Sequence, residues 1–227
     1  HDGSPRDSTA QNYYVKYKDY IKNVASSEIY ATWPADTIRA NVLAIMSFTL
    51  NRVYTEWYRN KGFDFTITSS TAFDHKWIPE RNIFEPISVI VDELFADYLS
   101  RPNVRQPILT QYCDGRRVSC PNWLTQWGSK SLGEQGFSPI EILRYYYGDD
   151  MYINTAEAIA TKVMPSVVGI STSQEVTYQS FFGEQKGLQS GVGTGIIVDE
   201  NGYILTNSHV VGDGSAETIV VQLTDGR

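Results

Sequence analysis

The chain changes texture near residue 154, and that change constrains its fold more than any other feature. Before it, aromatic and aliphatic residues recur at helical spacings; after it, Gly, Val, Ile and Thr come in short runs broken by turn signals. Two periodicities in one chain predict two units, a mixed α/β unit over residues 1–153 and an antiparallel β unit over residues 155–227. The fold class expected is therefore α+β. A length of 227 residues with 41% hydrophobic and 13% aromatic content supplies core material for both.

In the first unit, residues 12–27 read as a helix and residues 35–58 as the strongest helix of the chain. There Ile38, Val42, Ile45, Met46, Thr49, Val53 and Trp57 recur on one face, and Leu43 and Leu50 widen the stripe, so this helix is expected to be the buried spine. Pro34 stands at its start, where a missing N–H is harmless, and Gly62 is expected to end it. Beyond it the pattern predicts a strand and turn over 64–73, a helix over 83–99 and a short strand over 107–112. Two short helices follow over 126–132 and 139–146, separated by a turn at Gly136. Of the five tryptophans, Trp33, Trp57, Trp77, Trp123 and Trp127, most are expected in the core, and the rest can stack on a sugar ring.

The second unit opens with an expected helix over 155–163, then a strand over 166–173, a looser loop over 174–190 and a hairpin over 195–207 that turns at Asn201-Gly202. A last strand covers 219–223. His209 follows the hairpin. By pattern alone it is a strand-end histidine with an ordinary hydrogen bond.

Lys and Arg total 19 against 26 Asp and Glu, a net charge of −7, with no basic run, which argues against nucleic-acid and anionic-membrane partners. No apolar stretch reaches spanning length, and the opening HDGSPRDSTAQ has no signal-peptide pattern. A chain opening on His1 is expected to be processed or trimmed. Cys113 and Cys120 enclose the loop DGRRVS and either pair in an oxidising compartment or stay as two thiols in a reducing one. With two cysteines and the scattered His1, His75 and His209, neither a metal site nor a cofactor is expected.

The segment SGVGTGIIVDENGYILTNSHVV, residues 190–211, resembles the N-terminal barrel of the HtrA family of serine proteases. The preceding PSVVGI and following VVQLTDGR resemble the same domain in the same order. The resemblance implies the first part of a chymotrypsin-like antiparallel β-barrel at 155–227, with His209 as general base, in a bacterial extracytoplasmic protein. A serine nucleophile needs that imidazole, and the imidazole needs a carboxylate. In the family both lie beyond the segment matched here. Ser208, adjacent in a strand-like stretch, would point away, and Asp199, Asp213 and Asp225 do not match the family's aspartate. The chain alone is therefore expected to be inactive as a protease. Its expected partner is the remaining part of the protease domain, including as a second chain cut after Arg227; peptide or protein is the expected substrate. Family members commonly form homo-oligomers.

Residues 33–54, WPADTIRANVLAIMSFTLNRVY, and 124–148, LTQWGSKSLGEQGFSPIEILRYYYG, resemble the SpoIID family of sporulation and cell-wall proteins. That implies a SpoIID-like module over about 27–153, directed at peptidoglycan, with Trp33, Gln126 and Trp127 in a glycan groove. The family's acid/base glutamate aligns with Asp36, one methylene shorter, which places cleavage in doubt and favours binding. Asp36 also has a plain structural role in the first turn of a helix. SCPNW stands where the family has its Gly-His-Gly-Val-Gly lead, and the resemblance suggests a Cys113–Cys120 disulfide in place of the family's metal. The expectation is an HtrA-like endopeptidase with a wall-directed module; the competing expectation is a peptidoglycan lytic transglycosylase or an inert glycan-binding or propeptide module.

Overall fold

The computed structural model describes residues 1–155, 160–161, 163–180 and 183–226. The chain divides into two compact units between residues 156 and 157. The first contains helices α1 (Tyr17–Glu28), α2 (Ala35–Tyr54), α3 (Glu85–Glu93), α4 (Gln126–Glu134) and α5 (Pro139–Tyr147). Between them run the short strands β1 (Tyr98–Ser100), β2 (Tyr112–Cys113), β3 (Leu124–Thr125) and β4 (Tyr152–Asn154). β1 pairs antiparallel with β4, and β2 pairs parallel with β3.

α2 is the spine, and it is buried nearly all round: fourteen of its twenty residues are inaccessible. Burial on every side is what a helix at the centre of a unit shows. Ile38, Val42, Ile45 and Met46 pack with Ile21 and Val24 of α1 and Ile87 and Val91 of α3. On another side Ala40, Leu43 and Ala44 pack with Leu99, Leu124, Ile142, Leu143 and Met151. The polar residues of α2 join it to the loops. Asn41 Nδ2 donates to Ser129 Oγ at 2.8 Å, Ser47 Oγ accepts from Leu99 N at 2.7 Å, and Asn51 Nδ2 donates to the Pro107 carbonyl at 2.7 Å. Each of these three polar side chains of α2 thus finds a partner.

Several expectations in this unit need correction, among them the helix predicted over 83–99, which ends at Glu93 and gives way to strand β1 at Tyr98. The long helix stops at Tyr54, where Glu56 turns to φ 47°, so Val53 and Trp57 of the predicted stripe are exposed rather than core. Gly62 caps a short 3-10 turn instead. Residues 64–73 form no strand: the Thr68 N–H is taken by the Asp74 carboxylate at 3.0 Å, leaving no free ladder. Residues 107–111 form none either, because Thr110 Oγ1 donates to the Ala44 carbonyl of α2 at 2.6 Å, and strand structure begins only at Tyr112.

The second unit is a four-stranded antiparallel sheet of β5 (Val167–Ser180), β6 (Gly183–Ile197), β7 (Ile204–Leu205) and β8 (Thr218–Gln222), in the order β7-β6-β5-β8. The helix expected at 155–163 falls largely outside the described residues. The loop expected at 174–190 is instead the distal part of a long β5–β6 ribbon that runs in register from Val167 opposite Ile196 to Ser180 opposite Gly183. Its residues are mostly exposed on both faces, so no alternation of hydrophobicity announced it. β7 joins only Ile196 and Ile197, and β8 joins only Gly169 to Ser173. A small core of Val168, Ile170 and Val210 closes the base of the sheet. Among the described residues no helix is long and apolar enough to cross a membrane.

Candidate functional site

The glycine-rich run at 191–195 is explained by what lies over it. A Cβ at Gly193 would stand 2.5 Å from Val210 Cγ1, and one at Gly195 would stand 2.5 Å from Ile204 Cγ2. Bare backbone lets the segment after the hairpin pack directly on β6. Asp199 shapes the hairpin turn by accepting from the N–H groups of Asn201 and Tyr203 at 3.0 and 3.1 Å, bonds that hold its carboxyl below the usual range. Thr206 Oγ1 donates to the Thr194 carbonyl at 2.7 Å, and Thr172 Oγ1 donates to the Val210 carbonyl at 3.3 Å. These contacts fix both sides of His209.

His209 itself is exposed, on a 3-10 turn spanning Ser208–Gly214, with Val210 beside it as the buried anchor. Ser208 shares that turn. The expectation that strand alternation points it away from His209 therefore loses its premise. Among the described residues, the His209 ring makes no hydrogen bond or ion pair with Ser208, Asp199 or Asp213. The arrangement presents an exposed imidazole on a turn tied to β5 and β6; among the described residues it does not assemble a triad. Gly193→Ala, which forces Val210 off its seat, is expected to lower stability in urea unfolding by about 1–3 kcal/mol, the usual range for overpacking.

A second constellation lies in the first unit. The Trp33 and Trp127 rings meet edge to face at 5.1 Å, and Tyr30 lies 5.5 and 5.8 Å from them. Arg116 Cζ sits 3.3 Å over the Trp127 ring. Its position follows from the loop closed by the Cys113–Cys120 disulfide, where Asp114 Oδ1 accepts from the N–H groups of Arg116, Arg117 and Val118, each at 3.0 Å. Gly115, at φ 74°, lies so close to Thr125 that a Cβ would approach its Cβ to 2.5 Å. Gln126, which opens α4, is buried, and its Nε2 donates to Glu28 Oε2 at 3.3 Å. The other carboxylate oxygen of Glu28 accepts from the Lys76 N–H at 2.6 Å.

Glu28 is the titratable group that sequence reasoning missed. Burial pushes its carboxyl up to about 7, against the lowering effect of these hydrogen bonds. The one available signal was its place: an acidic residue in the last turn of a helix opposes the helix dipole and needs a reason. Asp36, by contrast, is exposed in the first turn of α2 and lies 3.9 Å from Arg39, which also donates to Glu93 at 2.6 Å. Gln126 is thus joined to Glu28 and Trp33 to Trp127, while among the described residues the one ion pair of Asp36 is with Arg39 of its own helix. Among the described residues no group of His, Cys, Asp and Glu could hold a metal ion.

The raised Glu28 pKa makes stability pH-dependent. The unfolded carboxyl loses its proton near 4.5 and the folded one near 7, so the folded state holds the proton more tightly and stability falls as pH rises between those values. Glu28→Gln is expected to abolish that fall. In urea unfolding the variant should match the parent at pH 4 and exceed it by about 2–3 kcal/mol at pH 8.

Over part of its length the chain is similar to trypsin-like serine proteases of the HtrA/DegP type. A probable periplasmic serine endoprotease DegP-like from Marinomonas sp. is 34% identical over 99 residues, covering 30% of this chain and 21% of the relative. The periplasmic pH-dependent serine endoprotease DegQ of Escherichia coli is 36% identical over 80 residues, covering 29% and 17%; the E. coli serine endoprotease DegS is 53% identical over 36 residues, covering 16% and 10%. A solved HtrA-type protease with a decapeptide shares 28% identity over 33% of this chain and 26% of that chain, with a TM-score of 0.29. The chain thus spans about a fifth or less of these curated relatives. No family model matches it. The SpoIID-like reading of residues 27–153 has no counterpart in these comparisons and stands on its sequence motifs alone.

Proposed function

We propose that this chain carries the general-base segment of an HtrA-type serine endopeptidase acting on peptide or protein outside the bacterial cytoplasm. The observation that carries the reading is the anchored presentation of His209, an exposed imidazole that follows the hairpin and stands beside the glycine-bedded Val210, in a chain partly similar to HtrA-type proteases. His209 takes the proton of a serine hydroxyl as it attacks the scissile carbonyl, and returns it to the leaving amine. The first part of a chymotrypsin-like barrel is the fold this assigns to residues 155–227. The serine, its oxyanion donors and the orienting carboxylate are to be supplied by the remaining part of the protease domain. The natural protein containing this sequence should cleave unfolded casein and lose that activity to a sulfonyl fluoride. Cleavage that persists under the inhibitor, or no cleavage of any peptide library, would sink the reading.

The Glu28 constellation favours a second reading, in which residues 27–153 form a wall-directed module that binds or cuts glycan. A carboxyl that keeps its proton near neutral pH is a competent general acid. Asp36, exposed and paired with Arg39, is the competing acid. Incubating glycan strands with Glu28→Gln and Asp36→Asn separates the two residues. Loss in only one variant names the acid, and binding without cleavage by the parent reduces the module to recognition.

A further inference from the structure

The loop closed by the Cys113–Cys120 disulfide presents Arg116, Arg117 and Val118 to solvent, with Val118 57% accessible. Three supports set its backbone. The disulfide joins its two ends. The Asp114 carboxylate accepts from the N–H groups of all three exposed residues, and the Trp127 N–H donates to the Asp114 carbonyl at 3.1 Å, which ties the loop to the start of α4. The Arg116 side chain is held as well. Its Cζ stands 3.3 Å over the Trp127 ring, which packs edge to face against the buried Trp33. So near an aromatic face a planar group fits only flat, and a guanidinium lying flat keeps its in-plane N–H groups clear of the ring.

Among the described residues neither Arg116 nor Arg117 forms an ion pair. Elsewhere in this unit Lys18 and Lys22 are matched by Asp92, Arg39 by Glu93 and Lys130 by Glu134. The loop's own acid, Asp114, is taken up by backbone amides. An oriented, unpaired guanidinium calls for an anion, and the loop narrows its class. A phosphate group draws on backbone N–H groups as well as side chains, and those of residues 116–118 are already bonded to Asp114. A carboxylate needs only the fork of a guanidinium, two parallel N–H groups for two oxygens. A long polyanion meets repulsion from a chain of net charge −7, so the partner's negative charge must be local. Val118, next to the two arginines, offers apolar surface to a neighbouring group. A short peptide segment with an acidic residue beside an aliphatic one meets all of these conditions.

We propose that the Cys113–Cys120 loop is a docking site for an acidic peptide segment, whose carboxylate pairs with the Arg116 guanidinium seated on Trp127 and whose adjoining aliphatic side chain covers Val118. Arg117 adds a second cation to the site. The inference asks nothing of the Glu28 carboxyl or of His209, so it rests on neither functional reading.

The test titrates the isotope-labelled 227-residue protein with acetyl-Val-Glu-Val-amide and with the same peptide carrying Gln in place of Glu, following the arginine Nε–H resonances by NMR. The acidic peptide should bind in the millimolar range, move the Arg116 Nε–H signal and weaken as salt is raised. The Gln peptide should bind about threefold to fivefold more weakly, and Arg116→Gln should lower affinity for the acidic peptide by a similar factor. Arg59→Gln removes a cation that follows the far end of α2, about 30 Å along that helix from Trp33, and should leave the affinity unchanged. Equal binding of the two peptides, an Arg116 signal that stays in place, undiminished binding by Arg116→Gln, or an equal loss in Arg59→Gln would overturn the proposal. So would displacement of the peptide by inorganic phosphate at lower concentration than by acetate at matched ionic strength, which would make the loop a phosphate site.

Discussion

His209→Ala in the natural protein is expected to lower kcat/KM on protein substrates about ten-thousand-fold or more, while its unfolding midpoint stays within error of the parent. The kinetic effect follows from the proposed general-base role. A serine hydroxyl at its free pKa is a poor nucleophile, and removal of the imidazole in a serine protease costs roughly 5–6 kcal/mol or more of transition-state stabilisation. The absence of a stability effect follows from the structure: His209 is exposed, and the buried anchor of its turn is Val210. Exposed substitutions of this kind stay within about 0.5 kcal/mol. The informative outcome is the dissociation of the two readouts. A variant that loses activity and stability together would assign His209 to the packing of its turn, and one that loses neither would remove it from the chemistry. Val210→Ala should behave oppositely, with the loss appearing first in stability.

Asp74→Ala is expected to be the most destabilising single change in the first unit, at about 3–5 kcal/mol by urea unfolding. The Asp74 side chain is fully buried and that of Arg52 is 8% exposed, with Arg52 Nε donating at 2.8 Å. Asp74 also accepts from Tyr58 Oη at 2.6 Å, from Thr68 Oγ1 at 2.7 Å and from Thr68 N at 3.0 Å. Removing the carboxylate leaves a guanidinium, two hydroxyls and an amide without their partner, in a region too dry to rehydrate them cheaply. The guanidinium would remain stacked among Phe48, Trp57 and Tyr58, unable to leave without unpacking them. Set against a total stability of about 5–15 kcal/mol for an ordinary domain, such a loss approaches unfolding at body temperature. A double-mutant cycle with Arg52→Met measures the coupling. A coupling near zero would mean that the pair is solvated and that the loop is held by other contacts.

What was legible in the sequence follows from what each element is paired with. α2 announced itself by a long apolar run of helix-forming residues after Pro34, and the hairpin at 195–207 by Asn201-Gly202, a turn that few residues can make. The start of α2 at Ala35 was readable from Pro34. Its end was not, since nothing in the residues Thr55-Glu56-Trp57 declares that Glu56 will take a left-handed conformation. The run at 64–73 has strand-like composition but spends a key N–H on a carboxylate six residues on, a partner no period can reveal. The same holds for Glu28. Its environment is made by Lys76 and Gln126, 48 and 98 residues away, and only a tertiary structure brings them to one carboxylate. The edge-to-face contact of Trp33 with Trp127 and the bond from Gln126 to Glu28 became visible only in three dimensions.

The unequal neighbours of β5 and β6 have a mechanical consequence. Among the described residues, from Gln174 to Ser180 on one strand and from Gly183 to Gln189 on the other, each strand has the other as its one strand neighbour, whereas nearer the base β7 and β8 widen the sheet. A two-stranded ribbon is marginal by itself in water, so its outer rungs should open without disturbing the rest of the sheet. In hydrogen exchange the amides beyond Ser173 should therefore exchange at a rate set by local fraying, and those at Val168 and Ile170 at one set by opening of the core. The molecule holds a graded clasp, loose at its tip and firm where it supports the turn that bears the imidazole.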